Sequence, residues 1–173
     1  MPIDGIVVRN IVHELENKLT GGKIDKISQP EKDEVIMTIR NSGNNYKLLL
    51  SSSPSYPRVH LTSANKVSPI NAPLFSMVLR KHLSGGRIVK FEQVNLDRII
   101  KVCVESYDEL GSLAHKTLIC EIMGRHSNII LTNDEGIIVD SIKHITPDMS
   151  RFRQVLPGIT YKYPPIQDKL SPL

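Results

Sequence analysis

The chain has 173 residues, 40% of them hydrophobic, a formal charge of +4 and no tryptophan. That length supports one sizeable core, or one domain and the start of another. No apolar run reaches the length of a membrane-crossing helix, and Met1-Pro2-Ile3-Asp4-Gly5 is not a basic leader followed by an apolar segment, so neither a span nor a usual secretory signal is visible.

Cys103 and Cys120 share no metal-ligand spacing and fall in apolar runs. They read as small buried hydrophobes in a reducing compartment, with a disulfide or a metal site as the alternative. The charge is uneven: residues 1–50 carry seven basic and seven acidic side chains, residues 51–101 eight basic against Glu92 and Asp97, and residues 102–173 seven against nine. An excess confined to the middle third favours a polyanionic partner, although a basic surface alone is unselective.

From the N-terminus, Val8, Ile11, Val12, Leu15 and Leu19 recur at the spacing of an amphipathic helix over 6–19, which Gly21-Gly22 stops. Alternation then predicts strands over 23–27, 34–40 and 46–51, separated by polar turns. Residues 51–62 begin as a Ser/Pro loop and end as a short strand. Arg58 and His60 lie on one face of it, either to bind an anion or as part of a solvated edge strand. After a linker with two prolines, Pro73 opens a helix over 74–83 whose core face is expected at Leu74, Met77, Val78 and Leu83.

The end of that helix runs into Leu79-Arg80-Lys81-His82-Leu83-Ser84-Gly85-Gly86-Arg87-Ile88-Val89-Lys90, with four Lys/Arg and no acid. Basic groups in a last helical turn complement the dipole and need no ligand; the remainder is what a phosphate backbone would use. A strand ends at 91–93, a turn covers 94–97, and strands are predicted at 98–105, 116–122, 129–132 and 137–145. Between two of these, Gly124-Arg125-His126-Ser127-Asn128 offers donors to an anion, or else forms a turn that satisfies its own backbone. From Thr146 the chain becomes Pro-punctuated loop, with Ser150–Leu156 at most a short turn.

Residues 83–100 repeat residues 19–36. Eight of eighteen positions are identical, and Thr/Ser, Lys/Arg and Val/Ile exchanges preserve the chemistry at three more. This indicates two helix-and-meander units near 6–50 and 73–122 whose halves pack together. Asp33 and Asp97 occupy equivalent turn positions, whereas Glu34 becomes Arg98. That makes Arg98, with the Arg80-Lys81-Arg87-Lys90 cluster, the part specific to the second copy. No Walker pattern, dinucleotide fingerprint, His-Glu-x-x-His or nucleophile elbow occurs, and His13-Glu14 lacks a third catalytic partner.

Leu48-Leu49-Leu50-Ser51, Pro54-Ser55-Tyr56-Pro57-Arg58-Val59-His60-Leu61-Thr62, Leu96-Asp97-Arg98-Ile99-Ile100, Glu121-Ile122-Met123-Gly124-Arg125-His126-Ser127-Asn128 and Asp140-Ser141-Ile142-Lys143-His144 together resemble the N-terminal domain of the NFACT family. The resemblance runs from about residue 3 to the end. It implies an α+β fold: a two-layer antiparallel β-sandwich with flanking helices, internally duplicated, resembling the N-terminal domain of formamidopyrimidine-DNA glycosylases. The domain is expected over 1–160, with 161–173 linking to a following domain.

The resemblance further implies a cytoplasmic, non-enzymatic, cofactor-free RNA-binding module of a ribosome quality-control factor. Its partners would be tRNA, alanyl-tRNA in bacteria, and a stalled large ribosomal subunit carrying peptidyl-tRNA, in support of mRNA-independent C-terminal alanine tailing. Asp97 and Arg98 match the family pair that engages tRNA. Arg80, Lys81, Arg87, Lys90, Arg125, His126 and Arg58 are candidate phosphate contacts. Some family members were first labelled fibronectin-binding proteins, so a fibronectin- or fibrinogen-binding adhesin is the alternative. A DNA glycosylase or lyase is disfavoured: Pro2 is present, but Ile3-Asp4 replaces the glutamate that must follow the amine.

Overall fold

The computed structural model describes residues 5–94 and 98–164. Helix α1 (Gly5–Leu19) buries Val8, Leu15 and Leu19 and packs Ile11 and Val12 against the same core. It ends where Gly21 takes φ +88°, a left-handed turn that a side chain resists. Strands β1 (Lys23–Glu31), β2 (Glu34–Asn41), β3 (Asn44–Ser51) and β4 (Arg58–Thr62) follow as an antiparallel meander. Helix α2 (Leu74–Leu83) leads into β5 (Arg87–Gln93), β6 (Ile99–Tyr107), β7 (Leu113–Glu121), a 3-10 turn (Gly124–His126), β8 (Asn128–Thr132) and β9 (Ile138–Ser141).

Among the described residues, nine strands share one antiparallel ladder in the order β4-β3-β2-β1-β5-β6-β7-β8-β9. Strand alternation sends Ile100, Val102 and Val104 of β6 into the main core with both helices, while Ile99 joins Ile119, Ile130, Ile138 and Val155 in a second cluster.

The junction of β1 with β5 is short and reciprocal. Gly21 N–H donates to Ile88 C=O (2.7 Å) and Gly85 N–H to Ile24 C=O (2.8 Å); Ile88 N–H donates to Gly22 C=O (2.9 Å) and Ile24 N–H to Gly86 C=O (2.8 Å). Every partner has its counterpart 64 residues away. The helices cross this seam, α1 packing mainly on β5 and α2 mainly on β1. Side chains tie the exchange: Glu16 of α1 accepts the Phe91 N–H (3.3 Å), and Arg80 of α2 donates to the Ile27 carbonyl (2.8 Å). Gln93 reaches the Gly5 carbonyl (2.9 Å), and Gln29 accepts the Ser76 N–H (3.1 Å).

The last contact corrects the expected face of α2. The buried stripe is Phe75, Ser76, Leu79 and Leu83, whereas Leu74 and Met77 are 69% and 53% exposed and Val78 is half-buried. Ser76 is admitted to the interior because its N–H meets Gln29 and its hydroxyl donates to the Pro73 carbonyl (2.8 Å), leaving no orphaned polar group there. The strands also outrun their expected ends: β1 continues through a bulge to Glu31, and β7 begins at Leu113. In the opposite direction, β9 closes at Ser141 instead of extending to 145. Cys103 and Cys120 are free thiols, and full burial pushes Cys120 up to about 12.

Candidate nucleic-acid interface

The two copies of the repeat diverge in their chemistry at positions 34 and 98. Glu34 is 3% exposed and holds Lys66 at 2.7 Å and Arg58 at 3.5 Å. Arg58 is further occupied by the Tyr56 carbonyl (2.9 Å) and lies 4.4 Å from the centre of the Tyr56 ring. The charge once available for an anion is thus committed within the protein, and His60 Nδ1 sits 2.8 Å from the Leu61 carbonyl oxygen.

The cluster that is acid-free in sequence is not acid-free in space. Arg87 forks onto Glu105 (2.7 and 3.1 Å), Lys90 lies 3.7 Å from Glu92, and Lys81 lies 3.9 Å from Glu109. Hydrogen bonding from Arg87 holds the Glu105 carboxyl below its ordinary range. Arg80 spends its Nε on the backbone of β1. Glu92 lies two residues from Lys90 on β5, whereas Glu105 and Glu109 come from the neighbouring strand and its hairpin, where linear charge counting could not see them. On α1, Glu14 pairs with Lys18 at 3.2 Å, which removes it as an acid/base partner for His13.

Arg98, Arg125 and His126 behave differently. All three are exposed, and among the described residues none of their side chains has a charged or hydrogen-bonded partner. They are also brought near one another: the Arg98 carbonyl accepts the Ile122 N–H (2.8 Å), two residues before the 3-10 turn that carries Arg125 and His126. The remaining polar groups of that turn serve the backbone. Ser127 Oγ donates to Gly124 C=O (2.7 Å) and accepts Met123 N–H (2.8 Å), while Asn128 bridges both ends of Lys143 (3.0 and 3.1 Å). Arg98 lies immediately before β6 instead of within it, and Asp97 falls outside the described residues.

At the end of β7 lies a cluster that the sequence reading did not anticipate. Glu121, 1% exposed at the end of β7, stands opposite Ile99 and accepts both arms of Arg153 and the Tyr161 hydroxyl (2.6 Å). Burial, followed by the Glu121 charge, pushes Tyr161 up, so it remains a proton donor. Tyr163 packs edge-on to Tyr161 at 5.5 Å, and Lys101 donates to its hydroxyl (2.7 Å). Glu92, Gln93, Val94, Lys101 and Tyr163 line a polar hollow of about 210 Å³. The available signal was a glutamate closing the apolar run of β7, matched by one arginine in a later loop; nothing local connects them.

A family model described as NFACT N-terminal and middle domains matches residues 4–173. The chain belongs to the NFACT family. It is 51% identical to the Rqc2 homolog RqcH of Bacillus subtilis over its full length and 31% identical over 98% of its length to the archaeal Rqc2 homolog aRqcH of Methanocaldococcus jannaschii. Human ribosome quality control complex subunit NEMF is 28% identical over 83% of this chain. This NFACT chain spans only 30%, 24% and 12% of those proteins. Among solved structures, the N-terminal domain of the fibronectin-binding protein PavA from Streptococcus pneumoniae superimposes with a TM-score of 0.91 at 39% identity, over 96% of this chain and 66% of that one. The N-terminal part of the fibronectin/fibrinogen-binding protein of Streptococcus suis gives 0.91 at 40% identity, over 96% and 62%. Among the described residues, no helix is long and apolar enough to cross a membrane.

Proposed function

We propose that this NFACT domain is a non-enzymatic, cytoplasmic RNA-binding module of a ribosome quality-control factor. It engages tRNA through Asp97 and Arg98 on a stalled large ribosomal subunit and supports mRNA-independent alanine tailing. The observation that carries this reading is the sorting of basic side chains: Arg58, Lys81, Arg87 and Lys90 stand beside carboxylates, whereas Arg98 and Arg125 are exposed and uncompensated, with the exposed His126 imidazole next to Arg125. Such a group suits a phosphate backbone, which rewards cations not already neutralised.

The finer architecture belongs to the same reading. A duplicated, two-layer arrangement like that of glycosylase N-terminal domains is supported by the reciprocal β1–β5 seam. A second support is Lys143, beyond β9, which donates to the Ser52 carbonyl (2.6 Å) beyond β3 and so draws the outer strands together. The contacts of Tyr161 and Tyr163 with Glu121 and Lys101 favour a packed unit that runs past the boundary expected at 160.

The test is tRNA binding across a salt series. Arg98→Ala is expected to weaken binding and lower the salt slope by about one, with a smaller uniform effect from Lys81→Ala. Unchanged tRNA binding and full tailing by the Arg98→Ala factor would remove the site. The adhesin reading rests on the names of the streptococcal relatives; it predicts fibronectin binding at Arg98-independent affinity and no response to tRNA.

A further inference from the structure

Residues 146–154 form a loop whose ends are joined by reciprocal hydrogen bonds, Ile145 N–H to Val155 C=O (3.0 Å) and Val155 N–H to Ile145 C=O (2.9 Å). Within it Met149 N–H donates to Thr146 C=O (3.0 Å), Ser150 Oγ accepts the N–H groups of Phe152 (3.2 Å) and Arg153 (3.3 Å), and Gln154 donates to Ser150 C=O (2.9 Å). The loop is therefore set in shape before any ligand arrives.

Its position is set by Arg153. That guanidinium grips the buried Glu121, which is followed at once by Ile122, whose N–H holds the Arg98 carbonyl, and then by the turn bearing Arg125 and His126. The anchor thus ties the loop to the end of β7, the segment whose continuation pairs with Arg98 and carries Arg125 and His126. At its crest Arg151 is exposed and has no side-chain partner among the described residues, and Phe152 is 83% exposed. A single exposed apolar residue is ordinary on a protein surface. Here, however, the ring is flanked in sequence by two arginines, its backbone is fixed on both sides, and its loop is anchored to the strand end that leads into the turn of Arg125 and His126.

We propose that Phe152 is a stacking platform for an unpaired base of the RNA whose backbone is met by Arg98, Arg125 and Arg151; the proposal rests on the RNA-binding reading above. A phenyl ring has no hydrogen bond to offer, so it recognises the face of a base and not its edge. Within a duplex those faces are already stacked on neighbours. The feature selected is therefore a loop or single-stranded nucleotide, with the arginines holding the adjoining phosphates.

Because the chain contains no tryptophan, Phe152→Trp installs one reporter indole. Its emission is expected to be quenched on titration with tRNA and not with a blunt RNA duplex of similar length. Phe152→Ala should lose about 10- to 100-fold in tRNA affinity with an unchanged salt slope, as expected for stacking, while Arg151→Ala should lower the slope by about one. Wild-type tRNA affinity in Phe152→Ala, equal quenching by duplex, or quenching by fibronectin but not by tRNA would each overturn the proposal. If Arg98→Ala weakens binding and Phe152→Ala does not, the stacking role alone falls; if neither matters, the RNA-binding reading falls with it.

Discussion

Glu34 and Arg98, aligned between residues 19–36 and 83–100, differ in their surroundings: the first is buried and paired, the second exposed. Glu34→Ala would leave Arg58 and Lys66 without their shared carboxylate, in a site where the Arg58 side chain is only 19% exposed. The expected cost is about 3 kcal/mol, toward the lower end for a broken buried pair because Arg58 keeps the Tyr56 ring and carbonyl. Arg98→Ala, on an exposed side chain, is expected to change stability by about 0.5 kcal/mol or less. Urea unfolding of both variants checks the contrast, and a large loss in Arg98→Ala would point to a structural role instead. His82 adds a pH dependence. Burial, reinforced by Lys116 and Lys81 and opposed by Glu109, lowers its proton affinity in the fold. The unfolded chain therefore takes up the proton at a higher pH than the folded one. Stability contributed by the neutral histidine is complete above about 6.5 and falls on acidification below it, so His82→Gln should flatten urea midpoints over that interval.

At the level of elements, the glycine pairs that end α1 and α2 do more than terminate helices. A Cβ on Gly22 would meet Ile39 Cγ2 at 2.7 Å and the Leu19 carbonyl oxygen at 3.0 Å; one on Gly86 would meet Val104 Cγ1 at 2.8 Å and the Leu83 carbonyl oxygen at 3.0 Å. Both positions let the chain leaving a helix pass close over the second strand beyond it, β2 for Gly22 and β6 for Gly86, beside the seam where β1 and β5 join. Gly22→Ala and Gly86→Ala should each cost about 1–3 kcal/mol through overpacking, read from denaturant midpoints. A loss at one without the other would break the equivalence of the two copies. The repeat, the glycines and the helix of 74–83 were legible because each leaves a local signature. The inward face of α2 was not, because Gln29 of β1, 47 residues earlier, decides that Ser76 is buried.

For the whole molecule, each helix packs chiefly on the strand of the other copy, and Glu16, Arg80, Gln29 and Gln93 fix that exchange. Neither half can then keep its core after the other has opened. Far-ultraviolet circular dichroism and tyrosine fluorescence should therefore report one coincident unfolding transition, since Tyr46 lies in the first half and Tyr161 in the second. Two separated transitions would show that the seam is weaker than its reciprocal bonds imply.

The sequence by itself determined the helix-and-meander order, the likeness of residues 83–100 to 19–36, and the places where glycine ends a helix. These depend on periodicity, turn chemistry and side-chain identity over short stretches. Tertiary structure alone decided which cations are available. The run from Arg80 to Lys90 has no acid within it, yet Glu105, Glu109 and a backbone carbonyl of β1 arrive from elsewhere in the fold. The segment of Arg125 and His126 is brought to Arg98 by one backbone bond from Ile122, and the loop of Arg151 and Phe152 is fixed to the end of β7 by the grip of Arg153 on Glu121. Electrostatic availability is set by distance in space, and sequence order carries that distance only within one element or one turn.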